Sequence, residues 1–306
     1  MENRKRPHDA NELTRHFFDN IFLEMRHFDA VIPDTTMTVF GETFKTPVMT
    51  AALSHLNKCH PDGLEEMAKG AKSAGALVWC GMGEDEELVR VCQTGAKVIK
   101  IIKPHANNEE ILREIAFAEA QGCLAVGMDI DHGFNHEGVY DNIFGTCPLS
   151  GKTTAELKQF IQATSLPFII KGVLSVSDAL KAVSIGAKGI VVSHHHGIMD
   201  YAVPPLMILP HIVAAVGHEI PIFVDCGFET GMDAYKALAL GATAISVGRG
   251  IMKPLAEHGQ AGVCEKINAM TKSLAGTMAR TAVPTLADMN ASVLWMPTYY
   301  AKMQEK

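Results

Sequence analysis

No apolar run in this sequence is long enough to cross a bilayer, and the first residues lack the apolar stretch of a secretory signal. A soluble, cytoplasmic protein with no membrane partner is expected. Basic patches are missing too: the net charge is −7, and Lys and Arg are scattered. The single cluster, Arg4-Lys5-Arg6 before Pro7, reads as a solvated tail, so nucleic acid is not an expected partner. No C-x-x-C pair occurs among seven cysteines, an odd number, which argues against both a disulfide framework and a structural zinc site. Cys80, Cys123 and Cys226 instead fall in or beside apolar runs, where thiols serve as small hydrophobes. Nor is any stretch rich enough in Pro, Gly or Ser to act as a linker, so all 306 residues are expected to form one domain.

What is present is repetition. Short apolar runs at 47–53, 76–80, 97–102, 123–128, 167–170, 188–193, 221–225 and 243–248 alternate with amphipathic stretches at 61–74, 84–93, 107–121, 152–164, 175–186, 204–215 and 229–240, and an eighth begins near 251. Strands that are apolar throughout, rather than alternating, are buried on both faces, as in a parallel sheet covered by helices. Eight such units favour closure over an open sheet, so the expected fold class is α/β, a (β/α)₈ TIM barrel. Residues 1–46 read as an N-terminal extension, with a helix at 11–24 and an extended lid. Residues 47–256 read as barrel core, and 257–306 as C-terminal closing helices at 257–276 and 284–291. Gly75, Gly122, Gly186 and Gly241 each precede a strand at a helix end, where a left-handed cap explains them without chemistry.

Barrels place function where strands end. Here those ends read Leu53-Ser54-His55, Lys100-Ile101-Ile102-Lys103, Asp129-Ile130-Asp131-His132, Lys171-Gly172, Ser193-His194-His195-His196-Gly197, Asp225-Cys226-Gly227 and Gly248-Arg249-Gly250. Gly227, Gly231 and Gly248 with Arg249 make a phosphate cradle by composition, against the alternative of turn glycines beside a surface arginine. Asp225 would repel a phosphate and suits a hydroxyl group better. Lys171 follows an apolar strand and needs an anionic partner, whether a cofactor or Asp129 or Asp225. Of His194, His195 and His196, one is expected to act as a base and the others to pack or face outward. A rival metal site would join Asp129, Asp131, His132 and His136 to one of these histidines, although that spacing fits no standard motif.

In order and spacing, Lys171-Gly172-Val173, Gly186 to His195, Leu209-Pro210, Asp225-Cys226-Gly227, Ala237 to Ala242 and Gly248-Arg249 resemble the FMN-dependent α-hydroxy-acid oxidase and dehydrogenase family. Thr38 to Gly41, Thr46-Pro47, Ala51-Ala52, His60 to Gly63, Thr277-Met278 and Leu286 to Asp288 extend the resemblance over nearly the whole chain. The resemblance implies FMN as cofactor and hydride transfer from a small hydroxylated substrate to an electron acceptor that the sequence does not identify. It implies that Lys171 bonds the flavin, that backbone from Ala52 to Ser54 faces it, and that Ser193, Asp225, Gly227, Gly248 and Arg249 complete its site. One of His194, His195 and His196 would be the base, and Lys100, Ile102, Asp129 and His132 would line the substrate pocket. A homo-oligomer is expected, and no metal.

The departures fall at the substrate end. The family's arginine three residues after its catalytic histidine would match Gly197, Ile198 or Met199, and no arginine occurs between Lys171 and Gly248. Its strand-3 tyrosine matches Ile102, and a second phosphate-side arginine is replaced at Glu229 or Thr230. Losing a bidentate partner for a carboxylate costs several kcal/mol of binding. The resemblance therefore implies an oxidoreductase for a substrate without an α-carboxylate, an alcohol or polyol. A metal-dependent lyase or isomerase and a flavin protein without catalysis remain the alternatives.

Overall fold

The computed structural model describes residues 8–217 and 219–296, so the cluster at 4–6 and the chain beyond 296 lie outside the described residues. Eight parallel strands form the sheet: β1 (Val48–Thr50), β2 (Val78–Cys80), β3 (Val98–Ile102), β4 (Ala125–Asp129), β5 (Phe168–Val173), β6 (Gly189–Val192), β7 (Ile222–Val224) and β8 (Ala244–Val247). Neighbours in sequence are neighbours in space, β8 pairs with β1, and a bridge from Leu53 to Cys80 brings β1 to β2 and closes the ring. The helices between them are α2 (Gly63–Ser73), α3 (Asp85–Gln93), α4 (Asn108–Ala120), α5 (Thr154–Gln162), α6 (Val176–Ser184), α7 (Pro205–Val216) and α8 (Gly231–Ala239), with α9 (Arg249–Arg280) after β8 and α1 (Ala10–Asp19) before the barrel.

The continuous apolar strands serve two layers. Met49, Trp79, Ile99, Ile101, Ile169 and Phe223 point into the barrel and share one cluster. Val48, Val78, Val98 and Ile170, on the alternate face, pack under the helices. Inside, the Trp79 ring stands edge-on to Phe223 with centroids 5.1 Å apart. A hairpin of Met37–Val39 and Glu42–Phe44 adds Met37, Val39 and Phe44 to this interior and plugs the end where the strands begin.

Three expectations shift at the ends of the chain. The first helix stops at Asp19 rather than 24, because Phe22–Leu23 leaves it to pair antiparallel with Leu294–Trp295. The eighth barrel helix and the first closing helix are one element, α9, bent at Gly259 where φ is +53°. Instead of a closing helix over 284–291 there are two 3₁₀ turns, Leu286–Asp288 and Ala291–Val293. Met289 is extended between them, and Thr285 and Asn290 each start a separate turn, so no second helical turn propagates.

Trp79 is 1% exposed and central to the inner layer. Trp79→Ala is expected to cost about 3–5 kcal/mol. A lower guanidinium midpoint at unchanged slope would register it, and an unchanged midpoint would mean that the interior is not packed as described.

Candidate active site

Inward positions change from apolar to ionisable toward the ends of the strands. Lys103 follows Ile99 and Ile101 on the inner face of β3, β4 ends at Asp129, β5 carries Lys171, and β7 leads into Asp225. All four are less than a tenth exposed, so each needs a partner. Lys103 Nζ donates to Asp129 Oδ2 at 2.7 Å. Lys171 Nζ lies 2.7 Å from Asp129 Oδ1, an ion pair off the line of a hydrogen bond, and 3.7 Å from Asp225 Oδ2. Burial pulls the Lys171 pKa down, but Asp129, then Asp225 and Asp131, outweigh it and hold the ammonium well above its usual value. Burial pushes Asp129 up, and Lys171 and Lys103 more than reverse this, so Asp129 stays a carboxylate.

Gly172 interrupts β5 with φ +93° and a register shift against β6. The Asp131 carboxyl group stands where a Cβ on residue 172 would be. Glycine is therefore required for Asp131 to come in beside Lys171.

The three histidines divide the work. His194 is 2% exposed, with Nδ1 accepting from the Gly197 N–H at 2.8 Å. Its proton is thereby placed on Nε2, which donates to Thr14 Oγ1 at 2.8 Å. With both nitrogens engaged and burial pushing its pKa down, His194 is a neutral clamp between β6 and α1. His195 lines the cavity in a left-handed backbone conformation (φ +46°). Its Nδ1 lies 2.9 Å from Asp131 Oδ1 and 3.8 Å from Asp129 Oδ1. A carboxylate accepts only, so Nδ1 is the donor and Nε2 is left with a lone pair for a ligand. Nε2 has no partner among the described residues. His196 is exposed on the same rim, with its carbonyl accepting from Asn11 Nδ2 at 3.1 Å.

Behind His195, the His132 ring stands edge-on with centroids 4.9 Å apart. His132 Nδ1 accepts from Lys103 Nζ at 3.0 Å, and Nε2 donates to Asp141 Oδ2 at 3.1 Å in the long loop after β4. Burial first, then Lys103, lowers the His132 pKa.

A cavity of about 810 Å³ opens beside this network, within the size range of cofactor sites. Ala51, Ala52 and Leu53 form one wall, Lys171, His195 and Asp225 another, and Gly227, Gly248, Arg249 and Gly250 the far end. Asn11, Glu12 and Arg15 of α1 complete the lining. The far end joins backbone N–H groups at glycines to the start of α9 and to a guanidinium, which suits a phosphate.

Lys171, His195, His196, Ala52, Asp225, Gly227, Gly248 and Arg249 thus meet round one space. Ser54 and Ser193 stand behind it, Ser54 Oγ accepting from Met82 N–H and Ser193 Oγ from His195 N–H. Lys100 and Ile102 do not reach the substrate side. They share the outward face of β3 with Val98, where Ile102 packs under the helices and Lys100 Nζ donates to the Gly81 carbonyl at 2.6 Å. The two-residue period of the strand would have placed Lys103, in phase with Ile99 and Ile101, on the inner face instead. Asp131, in the sequence only a possible metal ligand, and the cavity face of α1 join this site in the structure. Asp129, Asp131 and His195 offer ligand atoms within 4.8 Å of one another, as a metal site needs. Asp129 already meets two ammonium groups, which a cation would have to displace.

A family model described as FMN-dependent dehydrogenase matches residues 8–146 and 137–296. Glycolate oxidase of Spinacia oleracea is 28% identical over 91% of this chain and 85% of its own length. L-lactate oxidase of Roseobacter sp. (strain GAI101) is 28% identical over 85% and 79%. Among solved structures, mandelate oxidase with a C4a-OH-FMN adduct superposes with a TM-score of 0.87 at 26% identity, covering 95% of this chain and 92% of that one. An arginine-to-leucine variant of mandelate oxidase with 2-hydroxy-phenylacetamide gives 0.86 at 27%, over 95% and 90%.

The lowered pKa values of His194 and His132 set a sign for pH dependence. Below the ordinary value of 6.5 the unfolded chain takes up protons that the folded chain refuses. The stability these residues contribute is therefore present above pH 6.5 and lost as pH falls. The denaturation midpoint should drop between about pH 7.5 and about pH 5.5, and His194→Gln should flatten that slope. An equal slope in the variant would count against a buried neutral His194.

Proposed function

Since the chain belongs to the FMN-dependent dehydrogenase family, we propose that the cavity beside Lys171 holds FMN and that His195 takes the hydroxyl proton of an uncharged alcohol or polyol bound next to it. The chain is an FMN-dependent oxidoreductase acting on a CH–OH group. The cavity suits the cofactor in size and donor set: Lys171 would hold the flavin ring, Asp225 a ribityl hydroxyl, and Gly227, Gly248 and Arg249 the phosphate. When bound, FMN accepts the hydride equivalent.

The observation that carries this reading is the orientation of His195, whose Nδ1–H is fixed on Asp131 and whose Nε2 is free. As the hydroxyl proton reaches Nε2, the imidazolium that forms is stabilised by Asp131 at 2.9 Å. Asp129 is less suited to that task, being 3.8 Å from His195 and shared by two lysines. Lys171, fixed as a cation at the cavity wall, offsets negative charge that develops there.

Charge supports the uncharged substrate. With His195 as the base, Ile198 occupies the place three residues on, and it brings no charge. Lys103 and Lys171 are both committed to Asp129, while Asp131 adds a negative charge on the substrate side. Among the described residues, a carboxylate there would meet no uncommitted cation. The mandelate oxidase variant that has lost an arginine was solved with an amide, which is uncharged.

A cytoplasmic setting and a homo-oligomer complete the proposal. Seven free thiols suit a reducing compartment, and exposed Phe22, Met25, Phe28, Ile32 and Trp295 form apolar surface that a second copy would cover.

With FMN bound, anaerobic mixing with neutral hydroxyl compounds should bleach the flavin absorbance. His195→Gln should slow that bleaching by roughly 10²–10⁴. His196→Gln should slow it far less, and Lys171→Met should slow it more than it weakens FMN binding. Retained rate in His195→Gln would remove the base assignment, and flavin that no hydroxyl compound bleaches would mark a silent flavin protein.

A further inference from the structure

A phosphate monoester brings close to two negative charges, and the strand ends alone do not match them. Arg249 is the one cation that the loops after β7 and β8 place on the cavity, and Asp225 and Glu229 line the same wall. Apart from Lys171, which is paired with Asp129, the other cation that the described residues bring to that lining comes from outside the barrel: Arg15 of α1.

Arg15 is held as a binding residue needs to be. Its Nε donates to Asp19 Oδ1 and its Nη2 to Asp233 Oδ1, both at 3.0 Å. The guanidinium carbon lies 5.1 Å from the centre of the Phe18 ring. Nη1 meets no acceptor among the described residues. Asp233 is 2% exposed, and its other oxygen accepts from Glu229 N–H, Thr230 N–H and Thr230 Oγ1. One carboxylate therefore ties the Arg15 fork to the loop that carries Gly227. The same helix packs on that loop, with Thr14 Cγ2 3.0 Å from where a Cβ on Gly227 would sit.

We infer that Arg15 is the second cation of the phosphate site, its free Nη1 edge joining Arg249 on the phosphate of the cofactor. This rests on the cavity being the FMN site. The N-terminal helix is then part of the cofactor site, and its docking and phosphate binding reinforce each other. Asp233 positions the guanidinium, and a bound phosphate replaces the water that the exposed third of the Arg15 side chain now meets.

Riboflavin, which lacks the phosphate, separates binding from support. Full-length protein stripped of flavin is titrated with FMN and, separately, with riboflavin, following flavin fluorescence, and thermal melts confirm that each variant is folded. Arg15→Met should raise the Kd for FMN roughly ten- to hundredfold and leave riboflavin unchanged. Arg15→Lys should fall between, keeping the charge without the fork. Arg15→Met that binds FMN like the parent, or that loses both flavins equally, overturns the inference. A parent protein that binds no FMN overturns the reading of the cavity itself.

Discussion

Asp129 brings one negative charge to the inner mouth of the barrel, and two buried ammonium groups share it. Any one of these charges alone in an apolar interior would be prohibitive, and removing one member of such a set costs about 3–5 kcal/mol. The set therefore behaves as a unit that fixes the ends of β3, β4 and β5 relative to one another. Lys171 gains a permanent charge from it, and Asp129, occupied twice, leaves the orientation of His195 to Asp131. Asp131 comes in only because residue 172 has no side chain.

From this unit the molecule divides into two ends. Toward β7 and β8, glycine backbone, Arg249 and α1 line the cavity that we propose holds the phosphate-bearing cofactor. Toward β3 and β4, Lys103, His132 and Asp141 tie the long loop after β4 to the buried charges. His195 stands between the two, with its free nitrogen available to a substrate. His194, beside it in sequence, has the opposite task and anchors α1 through Thr14. Adjacent histidines can differ in this way because the chain turns into left-handed conformations at 195 and 196.

Much of the barrel was legible in the sequence. Strands buried on both faces leave long apolar runs, and the ends of the eight observed strands lie within about three residues of the ends of those runs. The grouping of residues at the ends of β7 and β8 round one cavity was legible too, because glycines and a strand-terminal arginine stand out there by type. The substrate end was not, for identifiable reasons. The family resemblance implies Lys100 and Ile102 at the substrate pocket, but the alternation of β3 turns them outward while Lys103 points in. Asp131 depends on a contact across strands with His195, and Arg15 on a helix 218 positions away from its partner Asp233. Local spacing carries no trace of such contacts.

The proposed function makes this chain a flavin scaffold whose substrate side has no place for a carboxylate. Anaerobic rates of flavin bleaching by an α-hydroxy acid and by its primary amide, equal in shape and different in charge, test it most directly. The amide should act at least about tenfold faster at equal concentration, since the acid must bring a charge to Asp131 with no free cation among the described residues to meet it. An acid that bleaches the flavin as fast as its amide, or faster, would contradict the account.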